Sequence, residues 1–157
     1  MINFVHTVPV NGDDELPELK ADQLWTILMH KSRNPKLFVP SITNSEVIDD
    51  AGNEFLRRIV VRGSITVRER VLLEPQHRIV FEQLDSPYLT TISNEIGEDD
   101  KGRLAFTLIA TMSASGVERS RRENGFVAET DAMFFDTARA TVNAVRLYAT
   151  AHQAELA

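Results

Sequence analysis

Between Ile42 and Ser113 six consecutive segments alternate apolar and polar residues with period two, each closed by turn-forming residues. Period two sends successive side chains to opposite faces, so each segment predicts a half-buried β-strand. The segments are Ile42 to Asp49, Glu54 to Arg62, Ile65 to Leu73, His77 to Leu84, Tyr88 to Ile96 and Leu104 to Ser113. The turns between them, such as Asp50-Ala51-Gly52-Asn53, Gly63, Glu74-Pro75 and Asp85-Ser86-Pro87, are too short for parallel crossovers and predict antiparallel hairpins.

Around this meander the periodicity changes. Ile2, Phe4, Val8 and Val10 predict a first strand, with His6 in the same phase, before a turn at Asn11-Gly12-Asp13. From Ala21 to Arg33, Leu24, Ile27, Leu28 and Lys31 form a helical stripe flanked by Trp25 and stopped by Asn34-Pro35. A short helical turn through Leu37 and Phe38 ends at Pro40. Beyond Gly116, Val127, Thr130, Phe134, Thr137, Ala138, Thr141, Val145 and Tyr148 share one stripe of a long helix, and Gly125 marks either a kink or its beginning. The meander must cover its apolar face, and this helix is the main element available to do so. The expectation is an α+β fold of order β-α-α-β6-α, with residues 1–157 as one domain. A curved antiparallel sheet wraps the long helix, and the space between them forms an internal cavity.

The bulk numbers narrow the chemistry. A chain of 157 residues can bury roughly 70% of its unfolded surface without staples. With 17 Lys plus Arg against 23 Asp plus Glu, the formal charge of −6 opposes nucleic acid and anionic membranes as partners. The absence of cysteine excludes disulfides, thiolate metal sites and cysteine nucleophiles, and is compatible with a reducing compartment. MINFVHTVPV has neither a basic leader nor a long apolar run, and Asp13-Asp14-Glu15 follows it, so a cytoplasmic protein without integral membrane association is expected. His6, His30, His77 and His152 are scattered, which predicts no metal site. No nucleophile elbow, phosphate-cradling loop or dinucleotide fingerprint occurs, so no cofactor is expected. Glu98-Asp99-Asp100 reads as a solvated hairpin tip.

One polar placement stands out. Phe55, Arg57, Ile59 and Val61 share the inner phase of their strand, as Ile65, Val67, Glu69, Val71 and Leu73 share that of the next. A turn centred on Gly63 sets Val61 opposite Ile65, Ile59 opposite Val67 and Arg57 opposite Glu69, whereas a two-residue Gly63-Ser64 turn pairs Glu69 with Arg58. The first register is preferred because it aligns the apolar positions. Charges on such a face survive only when matched and hydrogen-bonded, or when they face a wet or ligand-filled space. Arg57 and Glu69 are therefore a polar anchor for a ligand, or an ion pair fixing strand register. A third role has Glu69 as a general base.

Gln83 and Asn94 fall in the inward phase with Phe81 and supply either ligand contacts or partners for backbone groups. Thr130, Thr137 and Thr141 offer cavity hydroxyls or bond their own helix carbonyls. Trp25 is a core plug or a stacking surface, and Tyr148 closes one end of the cavity or simply packs. Lys31 reads as a partner for the helix C-terminus or as an entrance residue. Arg58, Arg62, Arg68 and Arg70 form an outward basic patch, paired with neighbouring acids or open to an acidic partner.

The order of elements resembles the START/Bet v 1-like superfamily, also called SRPBCC or helix-grip. The runs Leu24-Trp25, Lys31 to Pro40, Leu56-Arg57, Val67-Arg68-Glu69-Arg70 and Val80-Phe81-Glu82-Gln83 resemble its AtaL-like subgroup. The resemblance implies a hydrophobic cavity of the kind that holds lipids, sterols, plant hormones or polyketide-like aromatics, and a link to fungal secondary-metabolite clusters. It implies no reaction, since the superfamily mixes carriers, sensors, cyclase-like enzymes and cochaperones. The glycine-rich loop of the plant-allergen (PR-10-like) relatives is present only as Asp50-Ala51-Gly52-Asn53, so phosphate binding is not carried over. The function expected is binding of a hydrophobic or aromatic small molecule by a monomer or homodimer. The ligand-binding set is Arg57, Glu69, Gln83, Asn94, Phe81, Trp25, Thr137, Thr141 and Tyr148. A cyclase, aromatase or lyase using the same cavity, and a cochaperone-like interaction domain, are the alternatives.

Overall fold

The computed structural model describes residues 2–12 and 14–156; Asp13, the last residue of the expected first turn, lies outside them. Seven strands run β1 (Asn3–Pro9), β2 (Ile42–Asp50), β3 (Glu54–Val61), β4 (Ile65–Glu74), β5 (Arg78–Gln83), β6 (Leu89–Glu98) and β7 (Leu104–Met112). They form one antiparallel sheet in the order β1-β7-β6-β5-β4-β3-β2, so the meander is continuous and β1 adds to its far end. Helix α1 (Ala21–Arg33) and a 3₁₀ turn (Pro35–Leu37) separate β1 from β2. Helices α2 (Ala114–Arg122), α3 (Phe126–Ala151) and α4 (Gln153–Leu156) follow β7.

The register around Gly63 is the one the apolar positions require. Val61 pairs with Ile65, Ile59 with Val67 and Arg57 with Glu69. Arg62 and Gly63 both adopt positive φ, +53° and +75°, which lets the chain reverse between Val61 and Ile65. Glu69 in turn pairs with Gln83 across β4 and β5, so Arg57, Glu69 and Gln83 stand side by side on three adjacent strands. Ile79 pairs with Asn94 and Phe81 with Ile92, which carries the inward phase into β6.

Helix α1 begins where the Lys20 backbone N–H donates to Gln23 Oε1 at 2.9 Å, and ends where Asn34 precedes a proline. Its stripe of Leu24, Ile27 and Leu28 is buried in a core shared with Phe106, Ala138 and Val145. The expected order of elements gains two short helices, α4 after the long helix and α2 before it. Ser113 caps α2 by accepting from the Gly116 N–H at 3.1 Å, and Gly125, at φ +86°, separates it from α3. Gly125 is thus the start of the long helix and not a kink within it. Val127 is 39% exposed, and the buried stripe of α3 begins at Phe134 and continues through Ala138, Thr141, Val142 and Val145.

Helix α3 packs across β1 and β7, and α1 packs against β5, β6 and α3. The inner faces of β3 and β4 therefore look across an interval that neither helix fills, and the cavity lies there.

Candidate functional site: a cavity with a polar cluster

The cavity has a volume of about 350 Å³, within the size range of small-molecule sites. Its apolar walls are Ile59, Val67, Phe81, Ile92, Leu108 and Phe134. Arg62, Ile65 and Met133 also line it; Ile65 and Met133 are exposed, and Arg62 Nη2 lies 3.9 Å from Met133 Sδ. This trio marks the mouth.

Inside, polar groups from four strands and two helices converge. Arg57 donates from Nε to Glu69 Oε1 at 2.7 Å, with Nη2 2.7 Å from the same oxygen, and from Nη1 to the Ser32 carbonyl at 2.8 Å. Its guanidinium carbon lies 4.5 Å from the centroid of Phe81. Glu69 Oε2 accepts from Gln83 Nε2, which also donates to the Phe81 carbonyl at 3.1 Å. Arg57 and Glu69 are only 4% and 2% exposed, so each charge is held by its partner and by further hydrogen bonds. One network thereby fastens β3, β4 and β5 to the last turn of α1.

Lys31 enters from that same turn. Its side chain is buried, not spread over the helix end as the sequence suggested, and Nζ donates to Asn94 Oδ1 at 2.7 Å. Asn94 is its only hydrogen-bond partner among the described residues. Burial pushes the ammonium down to about 7; the positive charge of Arg57 acts in the same direction and the Glu69 carboxylate opposes it. The ring of Phe81 lies 5.1 Å from Nζ. Like Ser41, Arg62 and Ser86, Lys31 lines the cavity but lay outside the expected ligand-binding set. The signal was present in its position on the stripe of Leu24, Ile27 and Leu28.

The threonines of α3 divide. Thr130 and Thr137 donate to the carbonyls of Phe126 and Met133, four residues back, at 2.7 and 2.9 Å. Thr141 is 1% exposed, lines the cavity, and its Oγ1 has no partner among the described residues. The hydrogen-bonding capacity of this hydroxyl is unspent among the described residues.

Arg57, Glu69, Gln83, Asn94, Phe81, Thr137 and Thr141 thus converge on one space. Trp25 and Tyr148 do not line it. Trp25 is 4% exposed in the core, on a different side of α1 from Lys31. Tyr148 lies two helical turns past Thr141 and stacks on His152 at 3.9 Å, with His30 at 5.0 Å and Phe38 at 5.6 Å. Both belong to the packing beyond the cavity.

Other charges are used structurally. Arg58, Arg68 and Arg70 pair with Glu46, Asp85 and Glu54 across the outer face, which neutralises the expected basic patch. Asp99 accepts from the Lys101 and Arg103 N–H groups and from Arg103 Nε, fixing the hairpin tip. His6 Nε2 lies 2.8 Å from Asp131 Oδ1 on α3. Arg146, which the sequence did not single out, clamps Asp14 through both terminal nitrogens at 2.5 and 2.6 Å and holds that carboxyl below its usual range. Among the described residues no three His, Asp or Glu side chains are grouped to hold a metal ion, and no helix is long and apolar enough to cross a membrane.

A curved antiparallel sheet closed on a long C-terminal helix, with a cavity between them, defines the helix-grip fold. Residues 4–151 match the family model of acetylaranotin biosynthesis cluster protein L, and the chain belongs to that AtaL family. The family's namesake in Aspergillus terreus is 28% identical over 97 residues, a match spanning 57% of this chain and 63% of that one. Among solved structures, the Zhui aromatase/cyclase from Streptomyces sp. R1128 superposes with a TM-score of 0.64 at 23% identity, covering 94% of this chain and 93% of that one. The di-domain aromatase/cyclase StfQ of the steffimycin biosynthetic pathway gives a TM-score of 0.67 at 16% identity, covering 98% of this chain and 51% of that one. These likenesses establish the fold.

Proposed function

We propose that the protein binds an aromatic, polyketide-like small molecule in the cavity, with the ligand's oxygens on the polar cluster and its rings against the apolar walls. The observation that carries this reading is the unpartnered Thr141 hydroxyl in the wall of a cavity whose other polar groups converge from β3 to β6 and α1. An apolar space with a few convergent polar groups is the usual form of a small-molecule site. Aromatase/cyclases among the structural neighbours support a ligand of that class. In this reading the Arg57 and Glu69 pair orients the ligand from the cavity wall. Glu69 has both oxygens engaged, which favours an orienting role over that of a base.

The second reading is a cyclase- or aromatase-like enzyme in the same cavity. What favours it is Lys31, an amine brought to about 7 and therefore able to exchange a proton near neutral pH.

Titration with an environment-sensitive apolar dye tests the binding reading. The expected result is uptake of about one dye per chain, displaced by hydroxynaphthoic acids. A folded protein that takes up no dye has a filled core, and the interaction-domain alternative then takes its place.

A further inference from the structure

The cavity contains an amine whose protein partners leave most of its bonding capacity unused. Lys31 is 5% exposed, has one hydrogen-bond partner, Asn94 Oδ1, and makes no ion pair among the described residues. Glu69, the nearby acid, is engaged by Arg57 and Gln83. The other three lysines of the chain, Lys20, Lys36 and Lys101, are all exposed. A buried lysine without a counter-ion is costly unless it loses its proton or meets a ligand.

We propose that Lys31 Nζ forms an imine with a ketone or aldehyde carbonyl of the ligand held in this cavity. This deepens the binding reading above and rests on it, naming carbonyl compounds as the ligand class. The Nζ lone pair adds to the carbonyl carbon, and the carbonyl oxygen takes up protons and leaves as water. One C=N bond replaces the C=O bond and two N–H bonds, with no oxidant or reductant consumed.

The surroundings fit each requirement. Asn94 Oδ1 accepts from Nζ and fixes the amine in place. The charged groups facing it are Arg57 from β3 and Glu69 from β4; burial together with Arg57 outweighs Glu69 and yields a substantial neutral fraction near pH 7. Neutral amine is the nucleophilic form, and desolvation in an apolar pocket is a recognised way to obtain it. An imine draws electrons from its neighbouring carbons, so the same step would serve carbon–carbon bond chemistry as well as capture of a ligand.

The test uses wild-type protein, 2-naphthaldehyde and sodium cyanoborohydride at pH 7, with reduced adducts mapped by peptide mass spectrometry. The expected result is labelling of Lys31 at least tenfold faster than of Lys20, Lys36 or Lys101, with a rate that levels off above about pH 7 while the surface lysines keep accelerating. Labelling of Lys31 that is no faster than the surface positions overturns the proposal. A K31R variant replaces the amine with a guanidinium that stays protonated and should lose the fast adduct; if it does not fold, the wild-type pH profile decides alone. The apolar dye, titrated into the same wild-type sample, separates the two readings. Dye uptake with an unlabelled Lys31 removes the imine and leaves ligand binding, whereas neither dye nor label removes both.

Discussion

Arg57 and Glu69 meet across β3 and β4 with two guanidinium nitrogens 2.7 Å from one carboxylate oxygen, in a place where both are almost free of water. The pair does two jobs at once. Through the Ser32 carbonyl and Gln83 it fastens three strands to α1, and through its position it sets charge in the cavity wall. The structural role follows from this geometry, and the ligand-orienting role proposed above rests on the same contacts.

Breaking the pair from one side should be costly. Arg57→Leu leaves a buried carboxylate with only Gln83, and unfolding in urea should show a loss of about 3–5 kcal/mol. The double change Arg57→Leu with Glu69→Leu should recover at least half of that loss, since no charge is then left unpaired. Additive losses would mean that the two residues do not depend on each other.

Lys31 gives stability a specific pH dependence. In the unfolded chain its amine holds a proton up to about pH 10.4, while the folded protein releases it near 7. Between those values the unfolded state binds more protons, so this contribution makes the fold more stable as pH rises, by at most about 1.4 kcal/mol per pH unit. Below pH 7 both states are protonated and the contribution is flat. Urea midpoints of wild type and Lys31→Met from pH 6 to 10 should diverge above 7 in favour of wild type, and parallel curves would place the amine in water.

Gly116 is held by contact and not by a special backbone angle. A Cβ built there would lie 2.4 Å from the Tyr88 carbonyl oxygen, which accepts from the Ser113 N–H at 2.8 Å. Gly116→Ala should push α2 off Tyr88 and β7 and cost about 1–3 kcal/mol by thermal or chemical unfolding. Dye uptake by the folded fraction should be unchanged, because Gly116 does not line the cavity.

The sheet was legible because period two and turn residues act locally. Gly63 allowed two turns, and the apolar positions of β3 and β4 selected the register that sets Arg57 against Glu69. Helix α2 escaped because it has no apolar stripe: Gly116 is its one buried residue, and a Ser113 cap with an Arg119–Glu123 ion pair at 2.9 Å holds it together. Lys31 was misread for a related reason. A lysine near a helix end usually bends toward water, and whether it does so depends on strands β3 to β6, far away in sequence. Tyr148 lies on the same stripe as Thr141, but periodicity fixes a side of the helix and not where along its length the cavity stops.

Thr141 provides a measurement in which stability and binding move in opposite directions. Its hydroxyl is buried without a partner, so the folded state carries a desolvation cost that valine, of nearly the same shape and also β-branched, does not. Thr141→Val should leave stability unchanged or raise it by about 1 kcal/mol in urea. A ligand that hydrogen-bonds this hydroxyl loses that bond in the variant, so its dissociation constant should rise by up to about tenfold. Thr137→Val is the internal control, because the Thr137 hydroxyl is already spent on the Met133 carbonyl and should matter little to affinity. Equal effects of the two changes on hydroxynaphthoic acid binding would mean that the ligand does not reach Thr141.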